Sequence, residues 1–288
     1  MMPAFMARAL LELLLLAVLA GVVSVHVLTR RLGFAADTVT HTVFPGVVLG
    51  FVTAGPGGVF PGALLAAAVT AVLLTALTRV RGVTDDTALA VLLAAMFAVG
   101  VVLVSRRTSY TADLTAFLFG RLLTVTAGQI ARTALVAAVV LAALALLHKE
   151  LVLRAFDPAA AAALGYPIGR LDLVLNLAVA LVVVAAAQAV GTILVIALLV
   201  VPAATGRLVA DRIAPITAVG VAAAVLSGGA GLAVSYRASV TYGLRLAGGA
   251  TVVLTLVAVY LVTMLAAALN RAWRHRKCRT REARRGVA

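Results

Sequence analysis

Asp37 and His41 stand four residues apart at the start of an apolar, membrane-length run. Residues i and i+4 share one helix face, so a carboxylate and an imidazole project side by side. Ionisable groups within hydrocarbon are costly, and they mark pathways or partners rather than lipid contacts. A carboxylate oxygen beside an imidazole nitrogen suits zinc, manganese or ferrous iron, whereas calcium takes all-oxygen shells. Two donors fall short of the four in a structural zinc site. One chain would therefore hold a cation loosely, which suits passage, while a two-fold dimer with this helix at its axis would supply two of each. The ordinary alternative has Asp37 capping its helix and His41 bonded to a backbone carbonyl.

The flanking residues set the expected depth and shape of this segment. With the membrane boundary near Arg31, a rise of about 1.5 Å per residue places Asp37 about 9 Å and His41 about 15 Å in, the latter near the middle of a ~30 Å core. Gly33 before the pair, and Pro45 and Gly46 after it, weaken the helix on both sides, as happens where backbone lines a cavity.

The elements that must carry the pair follow from composition. Of 288 residues, 64% are hydrophobic and 12% charged, with a mean hydropathy of +1.16. Apolar runs of about 20 residues, each enough for a spanning helix, follow one another almost end to end. The chain reads as an all-α polytopic membrane protein with no separate soluble domain. The first run, 10–28, ends at Arg30-Arg31 without a small-residue cleavage site and reads as a retained span. The single cysteine, Cys278, excludes an intrachain disulfide and a thiolate cluster. The formal charge of +14 is concentrated in the tail, where eight of the 24 basic residues follow the last span. That position suits anionic lipid rather than nucleic acid.

Nine runs can be marked: 10–28, 37–52, 59–77, 87–104, 130–147, 171–187, 190–206, 216–234 and 246–269. The seventh is short, follows a tight turn at Gln188 to Gly191 and contains Pro202, so a bent or re-entrant segment, and eight spans in all, is the other count. With nine crossings and the C-terminus inside, the N-terminus lies outside, and seventeen of the 24 basic residues fall on the inner side, as the positive-inside rule favours. Residues 1–270 then form the transmembrane domain, and 271–288 a disordered basic cytoplasmic tail.

Two connections are long. The inner one, 148–170, contains a short helix signal: Asp157 caps, Pro158 suits the first position, Ala159 to Ala163 propagate, and Gly165 followed by Pro167 stops it. It reads either as a knob for a soluble partner or as a linker. The outer one, 105–129, contains a half-apolar stretch, 114–123, too short to cross. It reads as an interfacial half-helix broken at Gly120, in a loop that presents Arg106, Arg107, Asp113 and Arg121 outside. Other polar residues have ordinary explanations: His26 and Ser24 near the inner end of the first run, Glu12 near its outer end, Asp172 as a cap with Asn176 on its face, and Gln188 in a turn. No glycine-rich phosphate loop with its lysine is present, so energy from ATP would come through a partner.

The run RRLGFAADTVTHTVFPGVVLGF, Arg30 to Phe51, resembles the signature of the zinc/manganese-type ABC transporter permeases, in which Gly-Asp-x-x-x-His opens a span and Pro-Gly or a similar pair follows. DLTAFLFGRLLTVT (Asp113 to Thr126), FDPAAAAALGYP (Phe156 to Pro167) and VGTILVIALLVVPAATGRL (Val190 to Leu208) resemble three further stretches of that family, in order. The resemblance implies a helical bundle like that of vitamin B12-type importers (the type II ABC permease fold), paired as a homodimer in a bacterial-type cytoplasmic membrane. It implies a cytoplasmic ATPase as one partner, an extracytoplasmic metal-binding protein as another, a divalent metal as cargo and no permanently bound cofactor. It also implies that Asp37 and His41 belong to the metal pathway or gate. Asp157, Pro158, Ala159, Ala163, Leu164 and Gly165 would couple to the ATPase, and the 113–126 stretch would lie under the binding protein. Two departures stand out: Ala36 replaces the glycine before the Asp, and alanine follows Asp157-Pro158 where an acidic residue is common. A siderophore or cobalamin permease and a secondary metal carrier are the alternatives, although a chelating pair has no obvious use for a bulky organic ligand and a carrier needs its own coupling carboxylates.

Overall fold

The computed structural model describes residues 3–105, 120, 122–243 and 246–285, with side chains described as far as residue 270. The outer half-helix expected over 114–123 therefore lies largely outside the described residues. Of it, Gly120 lies against the backbone of Val190 and Gly191, and Leu122–Thr124 forms a 3-10 turn.

Among the described residues, eight helical segments are long and apolar enough to cross a membrane. One of them, Gly33–Leu77, is 45 residues long, more than twice the ~20 a crossing needs. It comprises α2 (Gly33–Thr42), α3 (Phe44–Ala54), a 3-10 turn at Gly55–Gly58 and α4 (Val59–Leu77). The glycine pairs Gly46/Gly62 and Gly50/Gly58 bring α3 and α4 into antiparallel backbone contact, so the segment is a hairpin of two legs. The count of nine runs and the count of eight segments differ only here.

α1 (Ala4–Thr29) precedes the hairpin, and α5 (Asp85–Ser105) and α6 (Ala127–Leu146) follow it. Thr126 starts α6 through a reciprocal capping box with Gln129, which satisfies two otherwise orphaned N–H groups. Next come α7 (His148–Phe156), α8 (Pro158–Ala163), α9 (Ile168–Val190), α10 (Thr192–Val209), α11 (Ile213–Tyr242) and α12 (Gly248–Arg285). The seventh run is thus a continuous helix despite Pro202, not a re-entrant fragment. The tail expected to be disordered continues α12 through Arg285, since arginine, alanine and glutamate propagate helices and no glycine or proline lies between Gly249 and Gly286.

The core forms where α1, α9 and α10 meet. Leu13, Leu16, Leu19, Leu175, Leu194, Leu198 and Leu199 are fully buried there. By contrast, α5, α6 and α12 keep much of their apolar surface uncovered by this chain. In lipid such surface meets acyl chains or another helix at little cost.

Candidate metal pathway

The pair sits on α2, which begins at Gly33 with Leu32 as its N-cap. Asp37 is thus the fifth residue of the helix and does not cap it. The expected start at residue 37 is one turn late. Around the pair, Ala35, Ala36, Thr38, Val39, Thr40 and Thr42 are buried against the rest of the bundle. Thr40 and Thr42 donate to the carbonyls of Asp37 and Val39 at 2.6 and 3.2 Å, which satisfies their hydroxyls within the helix and leaves the pair free of them.

Asp37 and His41 point the other way, with 35% and 39% of their side chains exposed. His41 Nε2 lies 3.7 Å from Asp37 Oδ1, beyond hydrogen-bonding range but close enough for both atoms to face one ion. The His41 ring is set by an edge contact to Phe97 of α5, centroids 6.0 Å apart. Phe97 in turn meets Phe44 at 6.1 Å, and Phe44 lies on Gly100, where any side chain would displace it. This aromatic stack orients the imidazole from the neighbouring helix. No group of three or more His, Cys, Asp or Glu occurs among the described residues, so one chain offers two donors on an open face.

The residues expected to bend near the pathway divide into several roles. Pro45, in the first turn of α3, has no N–H to offer the His41 carbonyl one turn back, and α2 ends at Thr42, just before it. Gly46 instead packs backbone to backbone with Gly62. Its role is close approach, not bending. Gly33 opens α2, near Val200 of α10. Gly191 adopts φ 82° between α9 and α10, a left-handed conformation that glycine takes without strain. Pro202 lies inside α10, and its carbonyl faces Gly220 of α11.

The coupling candidates form a separate feature. Asp157 Oδ1 accepts from the Ala160 N–H at 2.9 Å, Pro158 takes the first turn, and Ala159 to Ala163 complete α8. Leu164 is its exposed C-cap, and Gly165 closes it at φ 80°. Among the described residues, α8 packs chiefly against α7 and α9.

Several polar residues acquire partners that their local sequence does not reveal. Asp172 does not cap α9, which starts at Ile168. It pairs instead with Arg30 at 2.8 Å and Arg154 at 3.1 Å. Together with Arg79, Asp85 and Asn176 these groups line a cavity of about 430 Å³. Asn176 donates to Thr75 at 3.0 Å. Glu12 is fully buried and accepts from Thr133 at 2.7 Å, while its other oxygen has no hydrogen-bond partner. Gln188 belongs to the last turn of α9, not to a turn between helices, and lines the small void beside Glu12.

A model of the ABC 3 transport family matches residues 2–267. The chain belongs to that family. Within it, the chain is 30% identical over 279 residues to the manganese transport system membrane protein MntC of Halalkalibacterium halodurans, covering 96% of this chain and 93% of the relative. It is 32% identical over 273 residues to the manganese import system permease protein ScaB of Streptococcus gordonii, covering 93% of each. PsaBC from Streptococcus pneumoniae, solved in complex with Fab, superposes with a TM-score of 0.77 at 28% identity and covers 91% of each chain. The ABC 3 family membership agrees with the resemblance carried by Arg30 to Phe51, and the chain is a permease whose regular structure, among the described residues, is all helical.

Proposed function

We propose that this chain is the membrane-spanning subunit of an ABC importer for a divalent transition metal, manganese foremost, and that two copies enclose the route. The observation that carries this reading is the Asp37–His41 pair. Two side chains of metal-ligating type face out of a helix most of whose other residues are buried, and a second copy across that face would double the donors. Taking even a singly charged group out of water costs several kcal/mol after relaxation and a bare divalent ion far more, and a carboxylate with an imidazole offsets part of that cost without trapping the ion. Relatives named for manganese transport support the choice of cargo.

In this reading a soluble protein outside delivers the ion, and a cytoplasmic ATPase seats on Asp157 to Gly165. ATP hydrolysis there drives rearrangement of the spans, with the C-terminus on the ATPase side and the N-terminus opposite. The chain's own residues bind and release the ion; the ATP is spent by the partner. Reconstituting the chain with its ATPase and binding protein, and measuring ATP-dependent uptake of free manganese, zinc and iron against chelated iron, tests the reading. It expects free-ion uptake, and uptake of the chelate alone would overturn it.

A further inference from the structure

Apart from Asp37 and His41, the molecule brings two more metal-ligating side chains together at the end where α1 finishes and α7 begins. His26, in the last turn of α1, is 6% exposed. Its ring meets that of His148, the first residue of α7, with centroids 6.0 Å apart and planes at 84°. The two rings face a groove of about 520 Å³, otherwise lined mainly by apolar residues such as Val22, Leu144, Ile213 and Ala218. The groove lies between α1, α6 and α11, and neither Asp37 nor His41 lines it.

We infer that His26 and His148 form a second site for a borderline divalent ion, with zinc the best fit. Two imidazoles on one tetrahedral ion, at nitrogen distances of about 2.0–2.1 Å, have ring centroids about 5–5.5 Å apart, so from the observed 6.0 Å the rings must close by under about 1 Å to share an ion. His26 is held by burial, whereas His148 is exposed, so in the proposed site it is the His148 ring that turns to aim a nitrogen at the shared ion. Water completes the shell from the open side. The donor set differs from that of the α2 pair: imidazole alone favours zinc over manganese, which prefers oxygen. The apolar walls sharpen this preference, since they offer a hard cation no carboxylate.

The position gives the site its consequence. α7 runs to Phe156 and Asp157 caps α8 directly after it, so an ion between His26 and His148 ties the last turn of α1 to the helix that leads into the coupling segment. That consequence rests on the proposed coupling role of Asp157 to Gly165; the metal site itself does not.

Histidine footprinting of the full-length protein in nanodiscs tests the site, with zinc chloride as the probe and diethyl pyrocarbonate as the label. The chain has four histidines, His26, His41, His148 and His275, and each is read separately by mass spectrometry. Zinc is expected to slow labelling of His148 at least tenfold, and His26→Asn to abolish that protection, while His41→Asn leaves it intact. Because His26 is buried, the reciprocal variant His148→Asn, altered at an exposed position, provides a second readout: loss of one zinc equivalent per chain in equilibrium dialysis. Labelling of His148 that ignores zinc, or zinc binding unchanged in His148→Asn, would overturn the inference. Failure of the α2 pathway would appear separately, as metal uptake indifferent to His41.

Discussion

Arg154 on α7 reaches Asp172 on α9 at 3.1 Å, closing a brace around the whole α8 segment that separates them in sequence. Arg30, just beyond α1, binds the other carboxylate oxygen at 2.8 Å. One acid therefore fastens three parts of the chain at the end of the bundle proposed to meet the ATPase. All three side chains are largely buried, so removing the shared acid leaves two guanidinium groups without their counter-charge. Asp172→Ala is expected to cost on the order of 3 kcal/mol, read as a lowered thermal midpoint in detergent. A midpoint unchanged from the parent protein would show that the brace carries no load.

The hairpin formed by α3 and α4 depends on glycines that touch through their backbones. Gly46→Ala places a methyl group against the Gly62 carbonyl and Ala66, and overpacking of this kind costs about 1–3 kcal/mol. Gly57, in the connecting turn, has nothing within 4 Å of where its Cβ would lie, so Gly57→Ala is expected to be neutral. Equal thermal midpoints for the two variants would contradict the packing role of Gly46.

Glu12 and Thr133 form a polar contact inside the apolar core, joining α1 to α6. Glu12→Gln keeps an acceptor for the Thr133 hydroxyl and is expected to leave stability near that of the parent. Glu12→Leu strands the hydroxyl, for which a loss of about 1–3 kcal/mol is expected. The comparison is read in thermal unfolding, and a Leu variant as stable as the Gln variant would remove the contact from the account.

Features governed by local chemistry were legible in the sequence. Asp157, Pro158 and Gly165 define α8 because capping, a preset φ and a left-handed stop act within a few residues of one another. Asp37 and His41 were legible because their spacing places them on one helix face whatever surrounds them. Long-range pairings were not: Thr133 lies 121 positions from Glu12, and no periodicity links them. The packing of Gly46 on Gly62 was not legible, because glycine serves bending and close approach alike and only the position of Gly62 reveals the contact. α7 went unremarked because it is short and half polar, yet Leu151 at its centre is fully buried, and its amphipathic pattern was the available signal.

In the proposed pathway the transported ion touches the Asp37 carboxylate and the His41 imidazole on its way through the membrane. Its most direct test is ATP-dependent manganese uptake by proteoliposomes carrying His41→Ala, with the assembled transporter and its basal ATP hydrolysis verified intact. Loss of one of the two ligands predicts a fall of about tenfold or more in uptake, while uptake at the parental rate would show that the ion does not pass by His41.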